Sequence, residues 1–450
     1  MTTGKNQLKN MSLFALTWPI FIEIFLHMLM GNADTLMLSQ YSDNSVAAVG
    51  VANQILSLII VMFGFVATGT VILVAQYLGA EKELEAGSVS VVSLFANLIF
   101  GIILSIILLV FTAPILKLMD IPSELMGEAS SYIKIVGGFV FIQALIMTAS
   151  AILRSHGYTK DAMYITIGMN ILNVIGNYLF IFGPFGIPVL GVDGVAISTT
   201  VSRLIGFIVI LIVLVKRAPN ALPVRNIIRP LQFFKDLLKI GIPSAGEQLS
   251  YNGSQMVITI FIASLGTEDL TTRVYAQNIM MFIFLFAVAI SQGTQIMIGH
   301  MIGAGKISEA YQRCLRSLKI AIVISLGMAI VVSLLSKPLF SIFTDNSAII
   351  SLGSILILIT IILEPGRSFN LVVINSLRAA GDVRFPVYIG ILSMWGVSVT
   401  LAYLLGIQLG LGLVGIWIAF CVDEWLRGII MLFRWKSKVW VDKAFVRGSA

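Results

Sequence analysis

The sequence predicts an all-α integral membrane protein whose twelve transmembrane helices form two six-helix bundles related by a pseudo-twofold axis. Three observations carry that reading. The 450 residues are 58% hydrophobic and only 11% charged, a composition that no soluble globular domain tolerates. Apolar stretches of roughly eighteen residues or more recur along the whole chain. The chain also repeats itself. At a constant offset of 224, Pro19 and Glu23 return as Pro243 and Glu247, Gly69-Thr70 as Gly293-Thr294, Leu153-Arg154 as Leu377-Arg378, and Tyr164 as Tyr388. A register this constant means that one membrane unit was duplicated, and paired units with a cavity between them are the usual architecture of a secondary transporter.

The spans fall at residues 12–38, 46–78, 88–113, 129–153, 162–183, 191–215, 238–264, 271–302, 317–336, 348–377, 385–407 and 411–433. Several exceed the roughly 20 residues that cross the hydrocarbon, so tilts or kinks are expected. Six spans per half is an even number, so both halves insert the same way round, the parallel-repeat case. Residues 1–217 are expected to form the N-lobe, 218–237 a cytoplasmic linker, and 238–450 the C-lobe with a basic tail. In the linker Pro219, Pro223 and Pro230 break helices, and the amphipathic stretch 227–239 is suited to lie in the membrane interface.

Charge sorting sets the orientation. With both termini in the cytoplasm, 22 of the 29 Lys and Arg residues fall on the inside, Lys5, Lys9 and Arg447 among them. Four lie outside (Lys117, Lys134, Arg273 and Lys337), and Arg203, Arg367 and Arg427 lie within spans. The net charge of +7 is thus a topology signal, which excludes nucleic acid as a partner. The first apolar segment contains Glu23 and Asp34 and lacks a small-residue cleavage site, so no removable signal peptide is expected. Cys314 and Cys421 lie at the end of one span and inside another, which argues against a disulfide or metal site.

Ionisable groups within the spans need a reason, since a charge at mid-membrane costs about 2.5–3.5 kcal/mol on insertion scales. In span one His27 and Asp34 lie about 40° and 20° around the helix from Glu23, a single polar stripe about 16 Å long. Such a stripe faces protein or water. At the depth of Asp34, span five brings Asn173 and Asn177 on one face and span six brings Thr199. A carboxylate, two amide carbonyls and a hydroxyl suit Na⁺, or a protonatable Asp held by hydrogen bonds; alternatively the asparagines only bridge helices. Arg203, one turn beyond Thr199, is placed to hold a counter-charge or to bridge helices. Gly69 and Gly293, deep in spans two and eight, read as close-packing sites before they read as hinges. Asp423 and Glu424 lie within a turn of Arg427 and suit a local ion pair. Asp193 sits at the mouth of span six, in reach of solvent. Met28, Met30, Met280, Met281 and Phe282 are candidates to line an adaptable apolar cavity.

The pattern around Pro19 and Asp34, LRSHGYTKDAMYITIGMNILNVIGNYLFIFG (153–183), GVDGVAIST (191–199) and EPGRSFNLVVINSLRAAGDVRFP (364–386) resemble the multidrug and toxic compound extrusion (MATE) family. The resemblance covers essentially the whole chain and is nearest to the NorM-type bacterial branch. It implies two six-helix bundles opening to one side of the cell membrane at a time, and efflux of amphipathic organic cations in exchange for Na⁺ or H⁺. The family's essential first-helix Asp matches Asp34, and its N-lobe cation-site Asn and Thr match Asn173 and Thr199. Asn177 agrees with the NorM type, where other members carry Asp. The seventh-helix Glu matches Glu247. The span-ten Asp of NorM-type members is replaced here by Arg367, with Glu364 one turn earlier. Glu247, Glu364 and Arg367 are therefore candidates for a C-lobe coupling or substrate site, and Glu23, His27 and Arg203 for cavity groups. Glu364 and Arg367 are also spaced to pair with each other.

Beyond the coupling ion no cofactor or metal is expected, and the partners are small amphipathic cations and membrane lipids, with the protein acting as a monomer. A major-facilitator-type transporter would carry a basic loop after span two, which here reads GAEKELEAG. A flippase of lipid-linked saccharides, the alternative within the same superfamily, would need more cavity Arg and Lys than Arg203, Arg367 and Arg427. A membrane enzyme would need a catalytic constellation, and His27, His156 and His300 are scattered without a motif.

Overall fold

The computed structural model describes residues 12–446, apart from the side chain of Phe185. Lys5, Lys9 and Arg447, and with them the chain ends expected in the cytoplasm, lie outside the described residues. Twelve long helical elements follow in order: α1 Leu13–Ser39, α2 Asp43–Gly79, α3 Glu83–Leu118, α4 Ser123–Gly137 continued by Val140–Ser155, α5 Thr159–Phe182 and α6 Gly191–Arg217. The second half repeats the series as α7 Pro230–Leu265, α8 Thr267–Gly303, α9 Ile307–Leu334, α10 Ser347–Ala379, α11 Arg384–Gln408 and α12 Gly412–Lys436. Among the described residues nine of these are long and apolar enough to cross a membrane, and α4 makes a tenth although it bends by 44°. The other two, α7 and α12, carry ionisable groups in their interiors, Glu247 in one and Asp423, Glu424 and Arg427 in the other. Several helices outrun the expected spans; α9 starts ten residues early, because hydropathy marks only the part of a helix that meets oil.

The chain divides into two compact units. One takes the chain up to Leu78 and then Lys82–Gly241; the other takes Gly79–Glu81 and the chain from Ile242 onward. The division therefore falls inside α7, just beyond the stretch 218–237. The cause is local. Asn220 Nδ2 donates to Glu83 Oε2 at 2.8 Å and Ile228 N donates to Ser88 Oγ at 3.1 Å, which fastens this stretch to α3. From Pro230 the chain is already helical. Phe233 packs edge-on against Tyr77 and Leu237 fits against Gly69, while Leu231, Phe234 and Leu238 stay exposed, so the stretch buries one edge in protein and turns its other apolar residues outward. Gly69 thus serves close packing.

Within the first unit the packing is inside-out relative to a soluble protein. On α3 the buried face carries Asn97, Gly101, Ser105, Leu108 and Thr112, whereas Ile99, Ile103, Ile106 and Val110 point outward. Large aliphatic groups gain nothing by leaving lipid, and small or hydrogen-bonded residues let helices approach. Asn97 donates to Phe63 O, Ala144 O and Thr148 Oγ1, joining α2, α3 and α4. The second unit builds its core around Ile258, Ile279, Met280, Leu356, Leu363 and Trp417. Met280 lies in that core, 3.4 Å from Thr360 Oγ1, and so is not a cavity-lining residue, while Met281 and Phe282 are exposed.

The duplication shows in backbone conformation as well. Gly191 and Gly412, which open α6 and α12, both have positive φ, +55° and +58°. Their separation is 221 residues instead of 224, because the connection into α12, residues 409–411, is shorter than that into α6, residues 183–190, and this is partly offset by an α11 that ends later in the repeat register.

Candidate functional site

Asp34, Asn173, Asn177 and Thr199 come together inside the first unit. All four are buried, and Asp34 is only 3% exposed. Asn177 Nδ2 donates to Asp34 Oδ1 at 2.5 Å and approaches Asn173 Oδ1 at 3.4 Å. Asn173 Nδ2 donates to Thr199 Oγ1 at 3.1 Å, so the quartet is a chain running from α1 through α5 to α6. The helices approach closely because α5 has Gly176 on its α6 side, where a Cβ would sit 2.2 Å from Ser198 Oγ. Ser198 Oγ in turn donates to Asn173 O at 2.8 Å and fixes the register.

Of the two arrangements the spacing allows, an oxygen set for Na⁺ or a carboxylate held by hydrogen bonds, this geometry is the second: Asn177 presents its N–H₂ group to Asp34. A carboxylate is stabilised by donors, and a charge-assisted bond is roughly twice as strong as a neutral one. Asn177 Oδ1 is left buried without a hydrogen-bond partner. Rotation of that amide about its last torsion exchanges oxygen for nitrogen. Asn177 can therefore serve as donor to a bare carboxylate or as an oxygen ligand to a cation beside it.

Two further groups adjoin the quartet. Arg203 faces both Asp34 and Tyr132, and its Nε is buried without a partner. Tyr132, 2% exposed and within hydrogen-bonding reach of Thr199, escaped the sequence reading because a lone tyrosine in an apolar span reads as packing. His27 faces Glu23, Arg203 and Arg154.

The polar stripe of α1 is split between two partners. Glu23 does not join Asp34; it forms an ion pair with Arg154 Nη1 at 3.4 Å, at the end of α4. Its repeat equivalent Glu247 pairs with Arg378 at the end of α10, beneath Gly390, whose missing side chain leaves room for the carboxylate. Glu247 thus has a different ion-pair partner from Glu364 and Arg367, which pair with each other at 2.7 Å as their spacing suggests, although it faces Arg427 of α12. That second pair continues into α12. Arg367 Nε lies 3.6 Å from Glu424, and Arg427 reaches Asp423 at 2.8 Å and Glu424 at 3.1 Å. Asp193 is exposed and accepts from Ser131 Oγ at 2.5 Å. Among the described residues no group of three or more His, Cys, Asp or Glu side chains is arranged to hold a metal ion.

The MatE family model matches residues 19–179 and 243–404, one stretch in each repeat. The chain belongs to the MatE family. It is 56% identical to "Uncharacterized transporter YisQ" of Bacillus subtilis (strain 168), over 97% of this chain and 96% of that one. It is 26% identical to "Probable multidrug resistance protein NorM" of Thermotoga maritima, over 96% and 93%. Among solved structures it is similar to an outward-facing multidrug resistance MATE family transporter of the MOP superfamily, with TM-score 0.87 and 24% identity, covering 97% of this chain and 98% of the other. A MATE structure in the bent conformation matches with TM-score 0.89 at 23% identity, over the same shares. The twelve helices in two six-helix units are the MATE fold, and the MatE-family chain is a multi-pass membrane transporter.

Proposed function

We propose that this MatE-family protein is a cation-coupled antiporter that exports amphipathic, often cationic, organic compounds across the cell membrane by alternating access, with both termini in the cytoplasm. One observation carries the reading: a buried carboxylate, Asp34, held by an amide that can turn from donor to ligand. Multidrug resistance in the name of the NorM relative supports the cargo class.

In the bare state Asn177 and the nearby Arg203 compensate Asp34. Binding of H⁺ or Na⁺ removes the carboxylate's charge and with it the reason for Asn177 to face it as a donor. Asn177 is tied through Asn173 to Thr199 on α6, so occupancy at α1 alters the bonds joining three helices. Pro19 lies in the same helix and removes one backbone hydrogen bond there, a point at which α1 can bend as the ion binds or leaves. A tenfold ion gradient supplies about 1.4 kcal/mol per ion. A potential of about 100 mV adds about 2.3 kcal/mol per charge.

Export of a cation fits the second unit better than flipping of a pyrophosphate-linked lipid. Arg367 and Arg427 are already neutralised by carboxylates at 2.7–3.1 Å. Ethidium efflux from vesicles carrying the protein tests the proposal, measured in Na⁺-free buffer with and without a protonophore and again with a Na⁺ gradient. Efflux should follow one imposed ion gradient and stop when it is collapsed. Efflux indifferent to both gradients would contradict coupling.

A further inference from the structure

We propose that the second unit holds a one-proton site of its own, at the Glu364 carboxyl. The proposal rests on reading the chain as an ion-coupled transporter, but its test does not use efflux. Glu364 is 0% exposed. Its Oε1 pairs with Arg367, while its Oε2 is buried with no hydrogen-bond partner; Ser368 Oγ, one turn along the same helix, also has none. The other two carboxylates of the cluster are held on both oxygens. Asp423 is bonded by Arg427 and by Ser393 Oγ at 2.5 Å. Glu424 is bonded by Arg427 and by Asn370 Nδ2 at 2.8 Å.

Glu247 of α7 also faces Arg427 but is matched by Arg378, so three carboxylates share two guanidinium groups, which leaves one negative charge in excess in a low-dielectric core. Such an excess is costly, and the group neutralises unless it is paired. The excess falls on Glu364, which alone has a bare oxygen. The groups that face it are Arg367 on its own helix and Glu424 and Cys421 on α12. Tyr251 of α7 faces Arg367, and from α8 the ring of Phe284 lies 5.5 Å from the guanidinium. A Na⁺ ion at this point would meet one free carboxylate oxygen beside a fixed positive charge. An organic cation has no access to a fully buried atom. A proton needs only the bare oxygen, and it comes from water and returns to water.

Infrared difference spectra of the purified full chain in lipid, recorded as pH is cycled, read the proton directly. A protonated carboxylic acid shows a C=O stretch that shifts in D₂O. With Asp34→Asn in place, one such band should remain. Adding Glu364→Gln should remove it, and Na⁺ should leave it unchanged. Asp34→Asn showing no band, the band persisting with Glu364→Gln, or its displacement by Na⁺ would each overturn the assignment. Should Glu364→Gln fail to fold, Glu364→Asp decides: a displaced band supports the site and an unmoved one refutes it. Failure of the antiport reading is distinguishable, because it would appear as ion-independent dye efflux whatever the spectrum shows.

Discussion

In the first repeat Glu23 of α1 pairs with Arg154 at the end of α4; in the second, Glu247 of α7 pairs with Arg378 at the end of α10, both partners displaced by 224 residues. Beyond that shared pair the two units part. Where α1 carries Asp34, the same register in α7 gives Ile258, fully buried in an apolar core. Where α5 carries Asn173 and Asn177, α11 contains no asparagine at all and is wound in part as π-helix, Met394–Val399 and Ala402–Gln408. The second unit places its charge instead on α10 and α12. The difference teaches that the duplication preserved the pair that holds the first helix to the fourth, while the ionisable sites diverged. One unit offers a single carboxylate with a movable amide, the other a nearly compensated charge cluster.

The largest effect should come from the shared pair. Arg154→Met and Arg378→Met each leave a buried carboxylate alone, at a cost of about 3–5 kcal/mol, read as a lower melting temperature in detergent. The double replacements Glu23→Gln/Arg154→Met and Glu247→Gln/Arg378→Met should recover most of it. A unit in which the single change is harmless would break the equivalence.

Next comes Asn177→Ala, which removes a charge-assisted bond of about 1.5–3 kcal/mol. The ion concentration for half-maximal efflux should shift about tenfold or more, downward if the ion is H⁺ and upward if Na⁺ needs the amide oxygen. Ser393→Ala in the other unit should not move it. Gly176→Ala should destabilise by about 1–3 kcal/mol through overpacking, with Ser198→Gly restoring the loss; unaltered stability in Gly176→Ala would mean that α5 and α6 are not held by this contact. The smallest effect concerns the turn after the second helix of each repeat, where Glu81 has φ +60° and its counterpart Gly305 has φ +71°. Glu81→Gly should stabilise by about 0.5–1 kcal/mol, visible in the same melting assay.

The sequence made Asp34 and its neighbours legible because a carboxylate in an apolar helix is unusual and because Asn173 and Asn177 share a face by local spacing. It could not show which end of an amide faces the carboxylate, since both ends are the same residue. The contact between Gly176 and Ser198 was hidden because glycine is common in membrane helices and carries no sign of what fills its place. The cluster of α10 and α12 was read as two local pairs, because 54 to 60 residues separate Asn370 and Arg367 from Glu424 and Arg427, and no periodic pattern spans that distance. The twin pairs do leave a signal in the sequence. Glu23 and Arg154 both recur at the same offset, and two opposite charges preserved together are a contact in the making.

The central claim is that the first unit, through Asp34, is where the driving ion acts. It is tested most directly by gradient-driven ethidium efflux in proteoliposomes holding equal amounts of wild-type and Asp34→Asn protein, with melting temperatures matched. The account predicts that the variant inserts and folds but shows no efflux above that of empty liposomes under either ion gradient. Efflux at the wild-type rate would contradict it.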